Sequence, residues 1–247
     1  MTITDEAYDR MVAIRIRAFA DKAKEITDAG AYDDLTFSQK LELCVEAELD
    51  ARFERRCAKR NREARFAEPA ACIENVTYLP TRSLKRETLE RYAGCSFITD
   101  ARNIIVLSAT GAGKSYISQA IGNAACRQSY SVRYVRHPDL NKELAIARRN
   151  GELYECMDRF IKCDLLILDD LFLAETSMKA TTDLLEIVES RINRRSLILA
   201  SQLTPEEWHL RIDTKIIADA LLDRVVHNSY LLEITGPNMR EYYSEIA

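Results

Sequence analysis

Glycine and proline are scarce in this chain, seven and five among 247 residues. That excludes collagen-like and low-complexity proteins. With 47% hydrophobic and 30% charged residues, the composition is that of a helix-rich globular protein. A long apolar run is also missing: no stretch approaches the roughly 20 residues that a membrane-spanning helix needs, so no membrane is expected among the partners. The opening MTITDEAYDR is polar and acidic, without the basic and apolar regions of a secretory signal, and the expected location is the cytoplasm. The cysteines, at 44, 57, 72, 95, 126, 156 and 163, form no C-x-x-C pair and have no histidine at ligand spacing. They read as free buried thiols in a reducing compartment rather than as disulfides or zinc ligands. An excess of positive charge is absent too. The net charge of −4 argues against a protein coated with nucleic acid, although a total can hide a local patch.

What is present falls into three stretches. Residues 1–68 read as a helical N-terminal domain that binds DNA or a partner. One helical pattern runs from Asp5 to about Ala29, with Met11, Ile14, Ala18 and Ile26 at spacings compatible with one face. A second opens with Thr36 and Gln39 at capping-box spacing and runs toward Phe66, as one helix of about 25 to 28 residues or two in succession. In this second pattern Arg52, Arg55, Arg56, Lys59 and Arg60 fall on one helical face, a basic stripe. Of these, Arg55, Arg56, Lys59 and Arg60 are candidates for contact with DNA or a partner. A solvated face with pairs such as Glu48–Arg52 is the alternative. Residues 69–100 read as a linker with a short basic helix ending near Gly94. In residues 101–247 the short β-branched runs NIIVL, VRYV, LLILDD, SLILAS and YLLEI alternate with helical segments. That alternation predicts an α/β domain with a mainly parallel central sheet.

The segment SATGAGKS, Ser108 to Ser115, follows an apolar strand and opens a helix. It fits the phosphate-loop pattern G-x-x-x-x-G-K-[ST] except that Ser108 stands where the first glycine is usual. Backbone N–H groups of such a loop form an anion nest, and the helix N-terminus adds positive potential. Lys114 is expected to reach the β- and γ-phosphates of a nucleotide, and the Ser115 hydroxyl to complete the oxygen shell of Mg²⁺. About 55 residues on, CDLLILDD ends an apolar strand in Asp169 and Asp170. This is the form of a Walker B strand, in which the first carboxylate holds Mg²⁺ and the next orients or activates the attacking water. An aspartate at 170 is shorter than the glutamate many ATPases use, which predicts slow, partner-stimulated hydrolysis. SLILASQL ends in Ser201 and Gln202, suited to the γ-phosphate or the water. Arg224, in DALLDRVVHN, is either an arginine finger acting on a neighbouring subunit or a partner for Asp223 or Asp219.

Together with LELCVEAELDARFERR, SQLTPEEWH, LLDRVVHN and the final MREYY, these motifs resemble the IstB family of AAA+ ATPases. Those are transposition helpers carried by bacterial insertion sequences, similar to the helicase loader DnaC and more distantly to the initiator DnaA. The resemblance covers nearly the whole chain. It implies an AAA+ P-loop core behind a small all-helical domain. Only eleven residues follow Gly236, so no C-terminal lid domain is expected. It implies a nucleotide site of Thr110, Gly111, Ala112, Gly113, Lys114, Ser115 and Tyr116, with Asp169 as the Walker B aspartate and Asp170 as the catalytic acid. Gln202 takes the sensor position, Arg224 the arginine-finger position and Arg240 that of a second sensor. The implied cofactors are ATP and Mg²⁺. The implied activity is ATP-dependent self-assembly on double-stranded DNA, selection of target sites and stimulation of a transposase encoded by the same element. Residues 137–162 match the helices that related proteins turn toward DNA, and carry Lys142, Arg148 and Arg149. A helicase loader, or an adaptor that binds nucleotide without turnover, are the competing readings.

Overall fold

A computed structural model describes residues 3–245. Residues up to Lys59 form one compact unit and residues from Arg60 onward another.

The first unit holds α1 (Asp5–Ala13), α2 (Arg17–Asp28) and most of α3 (Phe37–Ala64). The single pattern expected over Asp5–Ala29 is two helices, because the chain turns at Arg15, whose φ is 65°. No glycine or proline marks the break. The second helix has Ile16 at its N-cap, which offers no side-chain acceptor. Glu48 of α3 takes that part instead, accepting from the N–H groups of Ala18 at 3.0 Å and Phe19 at 3.3 Å. Thr36 and Gln39 form the expected reciprocal cap of α3: Thr36 N–H donates to Gln39 Oε1 at 2.8 Å, and Gln39 N–H to Thr36 Oγ1 at 3.4 Å.

In the second unit, α4 (Arg86–Ala93) and α5 (Ser96–Thr99) precede the sheet strands β1 (Asn103–Ser108), β2 (Val132–Arg136), β3 (Leu165–Asp169), β4 (Ser196–Ser201) and β5 (Ser229–Ile234). All five strands lie where the β-branched runs predicted them. Their order is β2-β3-β4-β1-β5, and every pair among them is parallel. Parallel strands need crossovers, and these are α6 (Lys114–Arg127), α7 (His137–Asn150) with α8 (Leu153–Lys162), α9 (Met178–Arg191), and α10 (Pro205–His209) with α11 (Lys215–Val226). The chain continues into α12 (Met239–Glu245).

Because both sheet faces are covered, the central strands β1, β3 and β4 are buried along their whole length and apolar apart from polar end residues. Alternate residues enter two separate cores. Ile104, Val106, Leu165, Ile167, Ile198 and Ala200 face α6, while Ile105, Leu107, Leu166, Leu168, Leu197 and Leu199 face the layer of α7, α8, α9 and α11. Each fully buried aliphatic side chain contributes about 1.5–3 kcal/mol. Gly122 lets α6 approach the sheet, since a Cβ there would stand 2.6 Å from Ile167 Cδ1 and 2.9 Å from the Phe66 ring. Among the described residues no cysteine is in a disulfide, and five of the seven are buried.

Candidate nucleotide-binding site

The loop between β1 and α6 turns at Gly111 (φ 82°) and Gly113 (φ 95°), both in the left-handed region that glycine enters without strain. Ser108 lies before that turn, as the last residue of β1 and buried, paired in register with Ile234. Its backbone is extended. The departure from the usual motif therefore falls where glycine's freedom is not used. Ser108→Gly is expected to change nucleotide affinity by less than about fivefold, since the lost strand preference is worth only about 0.5–1 kcal/mol. A titration in which only the glycine variant binds nucleotide would identify a decayed loop.

Beside the loop lies a cavity of about 310 Å³, within the usual range for small-molecule sites. Gly111, Gly113, Lys114, Ser115, Tyr116 and Arg240 line it, six of the residues expected to bind nucleotide. So do Met239 and Tyr243 of the final MREYY, and Glu68, the segment Asn75–Thr77 and Arg82, which no sequence motif indicated. The C-terminal segment closes over the loop: Met239 N–H donates to Gly111 O at 2.8 Å, and a Cβ on Gly111 would meet Asn238 Oδ1 at 2.0 Å. Ala112 contributes its carbonyl, which accepts from Arg82.

The acidic end of β3 meets the loop. Lys114, only 7% exposed, lies 3.6 Å from Asp170, and Arg136 at the end of β2 donates to Asp170 at 3.1 Å. Asp169 is buried at 2% exposure; it accepts from the Tyr134 hydroxyl at 2.9 Å and from the Asp170 N–H at 2.9 Å. Burial and the Asp169 charge raise the Tyr134 phenol far above its ordinary value, so it stays a donor. Thr110 Oγ1 donates to Gln202 Oε1 at 2.8 Å, which ties the phosphate loop to the expected sensor.

After β3 the backbone is left-handed at Asp170 (φ 51°) and Phe172 (φ 53°), a conformation that costs a non-glycine residue roughly 1–2 kcal/mol. Side chains from two other elements hold it. His137 Nδ1 accepts from Phe172 N–H at 3.4 Å, and Ser201 Oγ donates to Leu171 O at 2.8 Å while accepting from Trp208 Nε1 at 3.0 Å. Burial lowers the His137 pKa to about 4, so the ring is neutral and free to accept. The unfolded chain takes up this proton near pH 6.5, whereas the folded one refuses it until about pH 4. Stability is therefore full above pH 6.5 and falls as the pH drops through this window. The expected loss between pH 7.5 and 4.5 is about 2–3 kcal/mol. Urea titrations of wild type and His137→Gln check this, the variant losing that much less over the same range.

Other expected site residues lie elsewhere. Arg224 does not line the cavity; it donates to Ala220 O at 2.8 Å and pairs with Glu189 at 2.8 Å. Its partner is thus neither Asp223 nor Asp219, which face His227 and His209. On α7, Lys142 pairs with Asp139 at 3.1 Å and Arg148 with Asp183 at 2.6 Å, while Arg149 is exposed in the last turn. On α3, Arg52 and Arg55 both turn to Glu48, at 2.8 and 3.4 Å. Arg56 and Lys59 are exposed, and Arg60 is half-buried.

A parallel sheet in the order 2-3-4-1-5, a glycine-turned loop at the exit of β1 and paired acids at the exit of β3 define a P-loop domain of the AAA+ class. The solved structure of AMPPCP-bound DnaA from Aquifex aeolicus has this fold. It matches with a TM-score of 0.61 at 23% identity, over 73% of this chain and 56% of that one. The model of the family described as IstB-like ATP binding protein matches residues 10–247, and the chain belongs to that family. It is 35% identical to the insertion sequence ATP-binding protein y4pL of Sinorhizobium fredii, over 94% of each chain. To y4uH of the same organism it is 36% identical, over 91% of this chain and 90% of the relative.

Proposed function

We propose that this protein binds and hydrolyses ATP with Mg²⁺ in the cytoplasm, assembles with copies of itself on double-stranded DNA, and presents that DNA to a transposase encoded by the same insertion sequence. The observation that carries this reading is the cavity beside Lys114, in a chain similar along its length to proteins named as insertion sequence ATP-binding proteins. The donor set suits the metal: the Ser115 hydroxyl at the cavity and the Asp169 carboxylate are hard oxygen ligands. When bound, Mg²⁺ supplies neutralisation of charge on the β- and γ-phosphates.

The chain's own groups have distinct tasks. Lys114 exchanges Asp170 for the nucleotide's phosphates, which leaves Asp170 to take the proton of an attacking water. Gln202, held by Thr110, orients that water or the γ-phosphate. Arg224 acts on the site of a neighbouring copy, leaving Glu189, and Arg240 contacts nucleotide from the cavity wall. DNA meets Arg55, Arg56, Lys59 and Arg60 on α3, and Lys142, Arg148 and Arg149 on α7, through phosphate contacts that tolerate many target sequences. Residues 1–68 act as the DNA- or partner-binding part and residues 101–247 as the motor.

Electron microscopy with duplex DNA and a non-hydrolysable ATP analogue tests the reading. Ordered assemblies on DNA are expected only with nucleotide, and Lys114→Ala should lose them. Assemblies indifferent to nucleotide would overturn the proposal. Charge reversal of Arg55, Arg56, Lys59 and Arg60 should reduce the slope of log affinity against log salt by about 0.9 for each residue that meets a phosphate. An unchanged slope would remove the stripe from the DNA interface.

A further inference from the structure

Arg82 belongs to none of the motifs above, yet it lies against the phosphate loop. Its backbone is fixed from two sides. Arg82 N–H donates to Leu79 O at 2.9 Å, and the next residue, Ser83, is stitched to the end of β5 through Thr235 and Glu233 at 2.9–3.0 Å. The chain beyond β5 then passes directly over the arginine's stem. A Cβ on Gly236, whose φ is 139°, would stand 3.1 Å from Arg82 Cα and Cγ.

So confined, the guanidinium spans the cavity wall. Nη1 donates to Thr77 O at 2.9 Å and Nη2 to Ala112 O at 2.6 Å. Thr77 lines the cavity on one side, and Ala112 is the middle of the phosphate loop on the other. A Cβ on Gly113 would come within 2.8 Å of Nη2, so the loop's second glycine is also what admits the guanidinium. An anion nest requires that the loop's N–H groups face the ligand, and pinning a loop carbonyl to an outside donor fixes that orientation.

The charge itself is uncompensated. Arg82 is only 9% exposed, its Nε has no partner, and among the described residues no carboxylate lies within 4.0 Å of it. Burial accordingly shifts its pKa downward. A cation buried without an anion is costly unless a ligand supplies one, and the adjoining cavity is the proposed site of a nucleotide's phosphates.

We propose that Arg82 is a positioning residue for nucleotide binding: it bridges Thr77 and Ala112 to hold the phosphate loop in its binding shape, and its unpaired charge favours an anionic ligand. This inference rests on the nucleotide-binding reading. The test compares wild type, Lys114→Ala, Arg82→Met and Arg82→Lys in titrations with a fluorescent ATP analogue, in competition by ATP and by adenosine, and in thermal unfolding without nucleotide. Arg82→Met should weaken ATP binding by about tenfold or more, the worth of one charge-assisted hydrogen bond, while adenosine binding changes less. Arg82→Lys, which keeps the charge and loses the fork, should fall between the two.

Wild-type ATP affinity in Arg82→Met, or equal losses for ATP and adenosine, would overturn the proposal and leave the arginine a purely structural residue. Should Arg82→Met fail to fold, Arg82→Lys carries the test, and wild-type ATP affinity in it is the overturning result. A wild-type protein that binds no ATP would instead sink the nucleotide reading itself.

Discussion

Asp170→Asn should slow phosphate release by roughly 10²–10⁴-fold, the usual worth of a positioned general base. ATP binding should survive, and tighten. Asp170 is paired with Lys114 at 3.6 Å and with Arg136 at 3.1 Å, so its carboxylate competes with phosphate for the loop lysine. Removing its charge ends that competition while it ends hydrolysis. Single-turnover measurements on and off DNA, run beside an ATP titration, check both halves. Equal release rates in wild type and variant would take Asp170 out of the mechanism, and rapid hydrolysis by the protein alone would contradict the slow, stimulated turnover expected of an aspartate there.

The largest effect on stability should come from Arg191→Ala. Arg191 is fully buried and faces carbonyls instead of a carboxylate. Nη1 donates to Phe160 O at 2.7 Å, Ile161 O at 3.0 Å and Cys163 O at 2.8 Å, and Nη2 to Asp164 O at 3.2 Å and Ser196 O at 2.6 Å. Phe160 and Ile161 lie in the last turn of α8, where carbonyls have no partner within the helix. One side chain from the end of α9 thus satisfies the end of α8 and the approaches to β3 and β4. Truncation removes the guanidinium from the buried carbonyls of Phe160, Cys163 and Ser196 and leaves a void, an expected loss of roughly 3–5 kcal/mol, whereas Asp164 O keeps the Ser196 N–H at 3.1 Å. Against a total of about 5–15 kcal/mol for a typical domain, that removes much of the folding free energy. Urea unfolding measures it. Arg191→Lys should recover little, because an ammonium cannot reach five acceptors in the same fork, and a loss under about 1 kcal/mol in Arg191→Ala would show that water or a rearranged turn replaces the guanidinium.

The features legible in the sequence are those whose physics is local. The five strands were visible because apolar β-branched runs bounded by polar turns have few other uses. Thr36 and Gln39 announced the start of α3, since a capping box closes within one turn. The Glu48–Arg52 pair was visible at its i,i+4 spacing, although the second claim on Glu48, by Arg55, was not. The break at Arg15 was missed because a left-handed arginine leaves no trace in residue type, whereas a glycine or proline there would have done so.

By itself, then, the sequence determined the α/β class, the strands and the phosphate loop with its lysine, because each depends on residues within one element of another's start. Only the tertiary structure decided what holds them in working order. Glu48 caps α2 across 30 residues, Arg82 pins Ala112 across 30, His137 supports Phe172 across 35, and Asn238 and Met239 close on Gly111 from the far end of the chain. Such contacts obey no period and no fixed spacing. They form because buried backbone donors and acceptors must find partners, and which side chain arrives is settled by the path of the folded chain.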